Sequence, residues 1–123
     1  MKINYNPLIA VCSRSVSKNK SAVQILKKNF KNIRLNDTDK ILKDSELVSF
    51  IKDASAVIIG LEKFDEKLLK KCPKLVVIGK YGVGTNNIDF EALKKNNVKI
   101  LLQPGINKRA VSELTLSFMI QGL

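Results

Sequence analysis

Apolar residues in this chain gather in five short runs, at 8–13, 33–35, 56–60, 75–79 and 98–102. Leu8-Ile9-Ala10-Val11, Ala56-Val57-Ile58-Ile59 and Leu75-Val76-Val77-Ile78 are apolar without alternation. That is the pattern of parallel strands covered on both faces. Ile33-Arg34-Leu35 is more polar and is expected at the sheet edge. Between the runs, apolar residues recur at helical spacing. Residues 22–30 form one such segment, with Lys27 and Lys28 falling opposite its apolar positions. Leu47, Val48, Phe50 and Ile51 predict a second helix with Ser45 as N-cap. Asp65 opens a third, carrying Leu68 and Leu69 and stopped by Pro73. Asp89 opens a fourth that ends near Asn96-Asn97, and a fifth runs from Asn107 through Ile120.

Five βα units in succession, with right-handed crossovers, predict an α/β chain: a three-layer sandwich around an open parallel sheet of about five strands. The 123 residues suit one domain, and no repeat or low-complexity linker divides them. Ligands in such sheets bind beyond the carboxyl ends of the strands, so the loops after each strand carry the functional question.

Composition then removes whole chemistries. The chain has no histidine, which excludes Ser-His and Cys-His nucleophile pairs, a histidine general base and histidine-bearing zinc sites. Cys12 and Cys72 form no CxxC and read as buried, reduced core thiols of a cytoplasmic protein. No apolar run is long enough to span a bilayer, and MKINYNPLIAVCSRS lacks a signal peptide's apolar core and cleavage site. Lys and Arg number 22 against 11 acids, a net charge of +11 that raises nucleic acid as a partner. The lysines are spread over helical faces, with three arginines and no tryptophan, so a solvated basic surface is the expected reading.

One loop stands apart. After the fourth run comes Gly79-Lys80-Tyr81-Gly82-Val83-Gly84-Thr85-Asn86-Asn87-Ile88-Asp89. Gly82 and Gly84 let the backbone turn tightly and bring N–H groups toward a small anion. The helix opening at Asp89 is expected to add the positive end of its dipole. The spacing is not GxGxxG, since Asn87 stands where the third glycine belongs, and no Walker Gly-Lys-Ser/Thr follows. On pattern alone the segment is either a strand-to-helix turn or a carboxylate or phosphate cradle.

The stretch from Cys72-Pro73-Lys74-Leu75 through Gly82-Val83-Gly84-Thr85-Asn86-Asn87-Ile88-Asp89 resembles the substrate-domain signature of the D-isomer-specific 2-hydroxyacid dehydrogenases, a family that includes the phosphoglycerate dehydrogenases. The resemblance continues through Pro104-Gly105-Ile106-Asn107-Lys108-Arg109-Ala110-Val111-Ser112-Glu113, similar to the segment leading into the family's inter-domain helix. Weaker matches are Ser13-Arg14-Ser15 and Ile59-Gly60-Leu61-Glu62. The resemblance implies a flavodoxin-like three-layer sandwich, the substrate-binding part of an oxidoreductase that moves a hydride between NAD or NADP and a small 2-hydroxy or 2-keto acid. By the resemblance, the backbone of Tyr81, Gly82, Val83 and Gly84 holds the substrate carboxylate. Val83 and Asn107 face the cofactor, and Glu113 lies at the hinge. From the residues alone, Asn107 is equally a helix N-cap and Glu113 a first-turn partner of the helix dipole.

Departures from the family set further expectations. The catalytic Arg, acid and His, and the GxGxxG of the inserted Rossmann nucleotide-binding domain, have no counterpart here, so residues 1–123 are expected not to turn over alone. Members that grip a substrate phosphate place arginine after the third strand, where this chain has Glu62 and Lys63. Lys63, Lys80 and Arg14 are each within reach of an anionic group, with a solvated side chain the commoner outcome for any one of them. The alternative is a stand-alone anion-binding or protein-interaction module, a homodimer through the apolar side of the last helix.

Overall fold

The computed structural model describes residues 6–122. Residues 1–5, part of the N-terminal stretch weighed above as a signal, and residue 123 lie outside the described residues. Five parallel strands form one sheet in the order β2-β1-β3-β4-β5: β1 (Leu8–Val11), β2 (Asn32–Leu35), β3 (Ala56–Ile59), β4 (Val77–Lys80) and β5 (Lys99–Leu101). The helices between them are α1 (Arg14–Lys18), α2 (Lys20–Asn29), α3 (Asp44–Ile51), α4 (Glu66–Lys70), α5 (Phe90–Lys95) and α6 (Lys108–Gln121). This is the predicted α/β architecture, with β2 at an edge as its polarity required.

The central strands bury both of their faces. Ala10 and Cys12, Val57 and Ile59, and Ile78 join Leu47, Ile51, Leu68, Leu69, Ala92 and Leu93 of α3, α4 and α5 in one core. The alternate residues Ile9 and Val11 are buried on the opposite side, as the two-residue period of a strand requires. Each fully buried Ile, Leu or Val contributes about 1.5–3 kcal/mol by leaving water. Both thiols lie inside: Cys12 is fully buried and its pKa is raised far above the ordinary thiol value by that burial, and Cys72 is raised for the same reason.

Helix ends follow local chemistry, with three corrections. Asp65 and Asp89 cap α4 and α5 as expected, their Oδ1 atoms accepting from Leu68 N at 2.9 Å and Ala92 N at 3.0 Å. α5 closes where Asn96-Asn97 predicted it: Asn97 takes φ +54°, and Val98 N–H returns to Leu93 O at 2.9 Å. Ser45, however, does not cap α3. The helix starts two residues earlier than that cap implies, at Asp44 with Glu46 N–H on Lys43 O, and the cap position falls to Lys43, which supplies no side-chain acceptor. Asn107 occupies the cap position of α6 but makes no side-chain cap bond, because its backbone (φ −102°, ψ 7°) is not the extended form that aims the side chain at the first turn. Glu113 lies beyond the first turn of α6 and pairs instead with Arg109 Nε at 2.8 Å.

Strand bounds also moved. The fourth strand begins at Val77, not Leu75, because Leu75 N–H is taken up in a turn to Cys72 O. The strand therefore runs on to include Lys80. α1 was not predicted; Ser13 Oγ accepts from Val16 N and starts it. α6 does not fold back on the sheet: Val111, Leu114, Leu116, Phe118, Met119 and Ile120 are all exposed. No helix among the described residues is long and apolar enough to cross a membrane. Lys18, Lys27, Lys28, Lys67, Lys70, Lys94 and Lys95 are exposed on helix surfaces.

Candidate functional site

The strand order reverses between β1 and β3, so the loops that leave these strands sit side by side at the switch point of the sheet. Polar residues are buried there. Ser13 follows β1, Asn36 follows β2 and Glu62 follows β3, and all three are nearly inaccessible. Asn36 is fully used: its Nδ2 donates to Cys12 O at 2.9 Å and Lys40 O at 3.1 Å, and its Oδ1 accepts from Thr38. It builds the β2 loop and leaves nothing for a ligand.

The β3 loop is bound to the loop after β4 through Gly60. Gly60 N–H donates to Glu62 Oε2 at 2.7 Å, folding the glutamate inward over its own loop. Gly60 O accepts from Lys80 Nζ at 2.6 Å and from Asn87 Nδ2 at 3.1 Å. Asn87 Nδ2 also reaches Glu62 O at 2.6 Å. Main-chain bonds repeat the tie, with Phe64 N–H on Asn87 O and Asp89 N–H on Phe64 O, both at 2.9 Å. A side chain at Gly60 would press on Ser13 Oγ at 3.3 Å, so the β1 loop closes the third side.

Over this base stands the glycine turn. Tyr81 N–H is anchored on Ile59 O at 2.8 Å, and the backbone then reverses at Gly82 with φ +98°. Tyr81, Gly82, Val83 and Gly84 are all exposed, so the turn is an open surface. Lys80, the last residue of β4, points its ammonium beneath it and also donates to Tyr81 O at 3.1 Å. Burial lowers the Lys80 pKa, and the charge of Glu62 opposes that shift. The expected help from the α5 dipole is not available. Asp89 turns its own carboxyl group onto the first turn of that helix, and α5 has only six residues.

The other expected site residues separate. Arg14 Nη1 donates to Asp39 O at 2.6 Å, 25 residues along the chain, and Lys63 is exposed with its ammonium 3.7 Å from Asp65. Asn107 lies at the start of α6, and no hydrogen bond among the described residues joins it to the turn. A cavity of about 500 Å³ lies between α3 and the start of α4, lined by Lys43, Leu47, Leu61, Lys63 and Leu68 among others. None of its lining residues belongs to the glycine turn. Two residues that build the site were not singled out for it by sequence. In the sequence Glu62 stands where an arginine is expected and Asn87 where a third glycine belongs, and the hydrogen bonds of both hold the two loops in place.

No group of three or more His, Cys, Asp or Glu side chains is placed to hold a metal ion among the described residues. Comparison with known proteins places this arrangement. A D-3-phosphoglycerate dehydrogenase of Methanocaldococcus jannaschii is 35% identical over 80 residues, which is 64% of this chain and 15% of that protein. A hydroxypyruvate reductase of Thermotoga maritima is 26% identical over 102 residues, 82% of this chain and 32% of that one. The chain thus spans less than a third of either relative's length. Among solved structures, an NAD+-bound 3-phosphoglycerate dehydrogenase of Entamoeba histolytica superposes with a TM-score of 0.76 at 28% identity, covering 94% of this chain and 38% of that one. The model of the D-isomer specific 2-hydroxyacid dehydrogenase catalytic domain matches residues 9–118, from within β1 into α6. With the sheet order, the glycine turn and that match in agreement, the chain belongs to the D-isomer specific 2-hydroxyacid dehydrogenase family.

Proposed function

We propose that this chain is the substrate-binding part of an NAD(P)-dependent D-2-hydroxyacid dehydrogenase, a single substrate domain that works with a Rossmann nucleotide-binding domain. The main chain of Tyr81, Gly82, Val83 and Gly84 holds the carboxylate of a small 2-hydroxy or 2-keto acid. The observation that carries this reading is the exposed turn with Gly82 at φ +98°, fixed from below by hydrogen bonds to Gly60. A turn fixed before the ligand arrives loses little freedom on binding, which is what a weak, small anion needs. Cytoplasmic chemistry suits the two buried thiols.

The cofactor fits this chain at one edge only. Val83 exposes 42% of its surface, an apolar group suited to the face of a nicotinamide ring, and the Asn107 side chain is not used as a cap. No GxGxxG is present to take the pyrophosphate, so NAD or NADP is not expected to bind tightly here. When bound in a complete enzyme, the nicotinamide accepts or donates the hydride. The part of this chain is to orient the acid by its carboxylate. With no histidine, it does not supply a histidine to move the alcohol proton.

The exposed apolar residues of α6 favour a protein partner as well. Val111, Leu114, Leu116, Phe118, Met119 and Ile120 are all exposed on this one helix, more apolar surface than a solvated helix needs. The nucleotide-binding domain is the expected cover, and a second copy of the chain is the alternative for a stand-alone module, in which this protein would bind anions or partners without catalysis. Isotope-edited NMR with millimolar pyruvate, glyoxylate or hydroxypyruvate tests the main reading. Shifts at the Gly82 and Gly84 amides are expected, and their absence with all three acids would overturn it.

A further inference from the structure

Three cations were placed by sequence to meet an anion, and the structure separates them. Arg14 is engaged with the carbonyl of Asp39, and Lys63 leans toward Asp65. Lys80 alone stands at the glycine turn, and it is held there. Two of its three N–H groups are committed, to Gly60 O at 2.6 Å and Tyr81 O at 3.1 Å. The third is not taken by any other described residue. Gly82 lacks a side chain, and the place where a Cβ would stand is 3.8 Å from Lys80 Nζ, with no other heavy atom within 4 Å beyond Gly82 and its neighbours Tyr81 and Val83. The ammonium therefore lies beside Gly82, on the side that a side chain there would take.

We propose that Lys80 gives the turn its selectivity for anions, as a fixed positive charge that meets the carboxylate lying against Gly82. This deepens the reading of the turn as a carboxylate site and rests on it. The geometry argues for a specific role over that of one more surface lysine. A free lysine must give up rotamer freedom to catch a ligand, whereas Lys80 is already held by two carbonyls. Its placement at the end of a strand fixes the charge to the sheet, not to a mobile loop. Glu62, folded onto Gly60 N–H, is the acidic group that faces it, and favours its charged form.

The test separates charge from tether. Lys80→Gln keeps a donor for the two carbonyls but removes the charge, and Lys80→Arg restores charge. Pyruvate is titrated into the 15N-labelled chain and its variants, with pyruvamide as the neutral comparison. The wild-type chain and Lys80→Arg should bind pyruvate in preference to pyruvamide. Lys80→Gln should lose about tenfold in pyruvate affinity, the scale of a charged hydrogen bond, with little change for pyruvamide. Equal pyruvate affinity in the wild-type chain and Lys80→Gln overturns the assignment of Lys80 and leaves the carboxylate reading standing. Failure of the wild-type chain to bind pyruvate, glyoxylate or hydroxypyruvate at Gly82 and Gly84 overturns both. Where Lys80→Gln disturbs the free turn, the wild-type ammonium decides. Bound pyruvate should raise the titration midpoint of Lys80 Nζ, and an unchanged midpoint refutes the contact.

Discussion

Gly82 and Gly84 carry equal weight in the sequence and different weight in the structure. Gly82 has φ +98°, whereas Gly84 is outside the positive-φ region. A Cβ at Gly82 would meet only Lys80 Nζ at 3.8 Å, an ordinary contact, so the cost of Gly82→Ala lies in the backbone alone. Holding an L-residue on the left-handed side costs roughly 1–2 kcal/mol. A Cβ at Gly84 would meet Asn86 Oδ1 at 3.7 Å, again ordinary contact, with no such strain. There the loss of freedom in the unfolded chain prevails, which favours alanine by about 0.4–1 kcal/mol. That unfolded-state gain is common to both variants, so they should differ by the left-handed strain alone, roughly 1–2 kcal/mol, with Gly82→Ala the less stable. Urea unfolding followed by circular dichroism reads this directly. With a slope of about 1–3 kcal/mol/M, their midpoints should lie on the order of 1 M apart at unchanged slope. Equal midpoints, or Gly84→Ala as the weaker protein, would show that the turn does not depend on φ at Gly82. The pyruvate-induced shifts should likewise survive Gly84→Ala better than Gly82→Ala.

Asn87→Ala removes the amide that donates to Gly60 O and Glu62 O, and should cost about 1–3 kcal/mol in urea unfolding; a change below about 0.5 kcal/mol would mean the two loops are held without it. Asp89→Ala removes the α5 cap and should cost about 1 kcal/mol by the same assay, while Asp89→Asn, which keeps an acceptor for Ala92 N–H, should recover most of it. Arg34 donates to Asp53 in a two-point pair and holds the Asp53 pKa near about 2, so its stabilisation is full above the unfolded carboxylate value and fades as pH falls toward about 2. Both side chains are more than a third exposed, so the effect should stay below about 1 kcal/mol, and Asp53→Asn should flatten stability between about pH 4 and 2; an unaltered acid limb refutes the pair's contribution. Neither Cys12 nor Cys72 should react with a thiol reagent at pH 8 in the native state, and both should react in denaturant; fast native labelling would contradict their burial.

The fold was legible because burial of a parallel strand leaves a continuous apolar run. Runs at 8–13, 56–60 and 75–79 marked the three central strands, and the arginine in Ile33-Arg34-Leu35 marked an edge. Asp65 and Asp89 were readable as caps, since a short acceptor before an apolar segment has one efficient use. Ser45 failed by the same logic applied two residues too far along: the turn closes on Lys43 O, and the acids Asp44 and Glu46 answer the helix dipole without a side-chain cap. α1 was missed because Arg-Ser-Val-Ser-Lys has little intrinsic helix preference, and its start depends on the hydroxyl of Ser13. The shift of β4 by two residues came from a tertiary cause, the turn that takes Leu75 N–H back to Cys72 O.

The site was half legible, and the unread half explains the departure from the dinucleotide pattern. A glycine-rich turn followed by a helix invites the reading that the helix dipole holds the anion. Here α5 is six residues long and its first turn is answered by Asp89, so that source of positive potential is largely cancelled at its origin. What replaces it lies under the turn, in side chains that no periodicity marks. Asn87 occupies the place of a third glycine, and a glycine there would remove the amide that holds Gly60 O and Glu62 O. Glu62 occupies a place where arginine was expected, and it is buried, its carboxyl group taken by Gly60 N–H. Neither residue is available to a ligand. Both fix the β3 loop so that Gly60 O can receive Lys80, and that bond sets where the one committed cation stands relative to Gly82. The turn thus draws its positive potential from a strand-end lysine and its rigidity from the neighbouring loop. Asn87→Ala should accordingly weaken pyruvate binding through misplacement of Lys80, whereas Asp89→Asn, which leaves the capped α5 in place, should not.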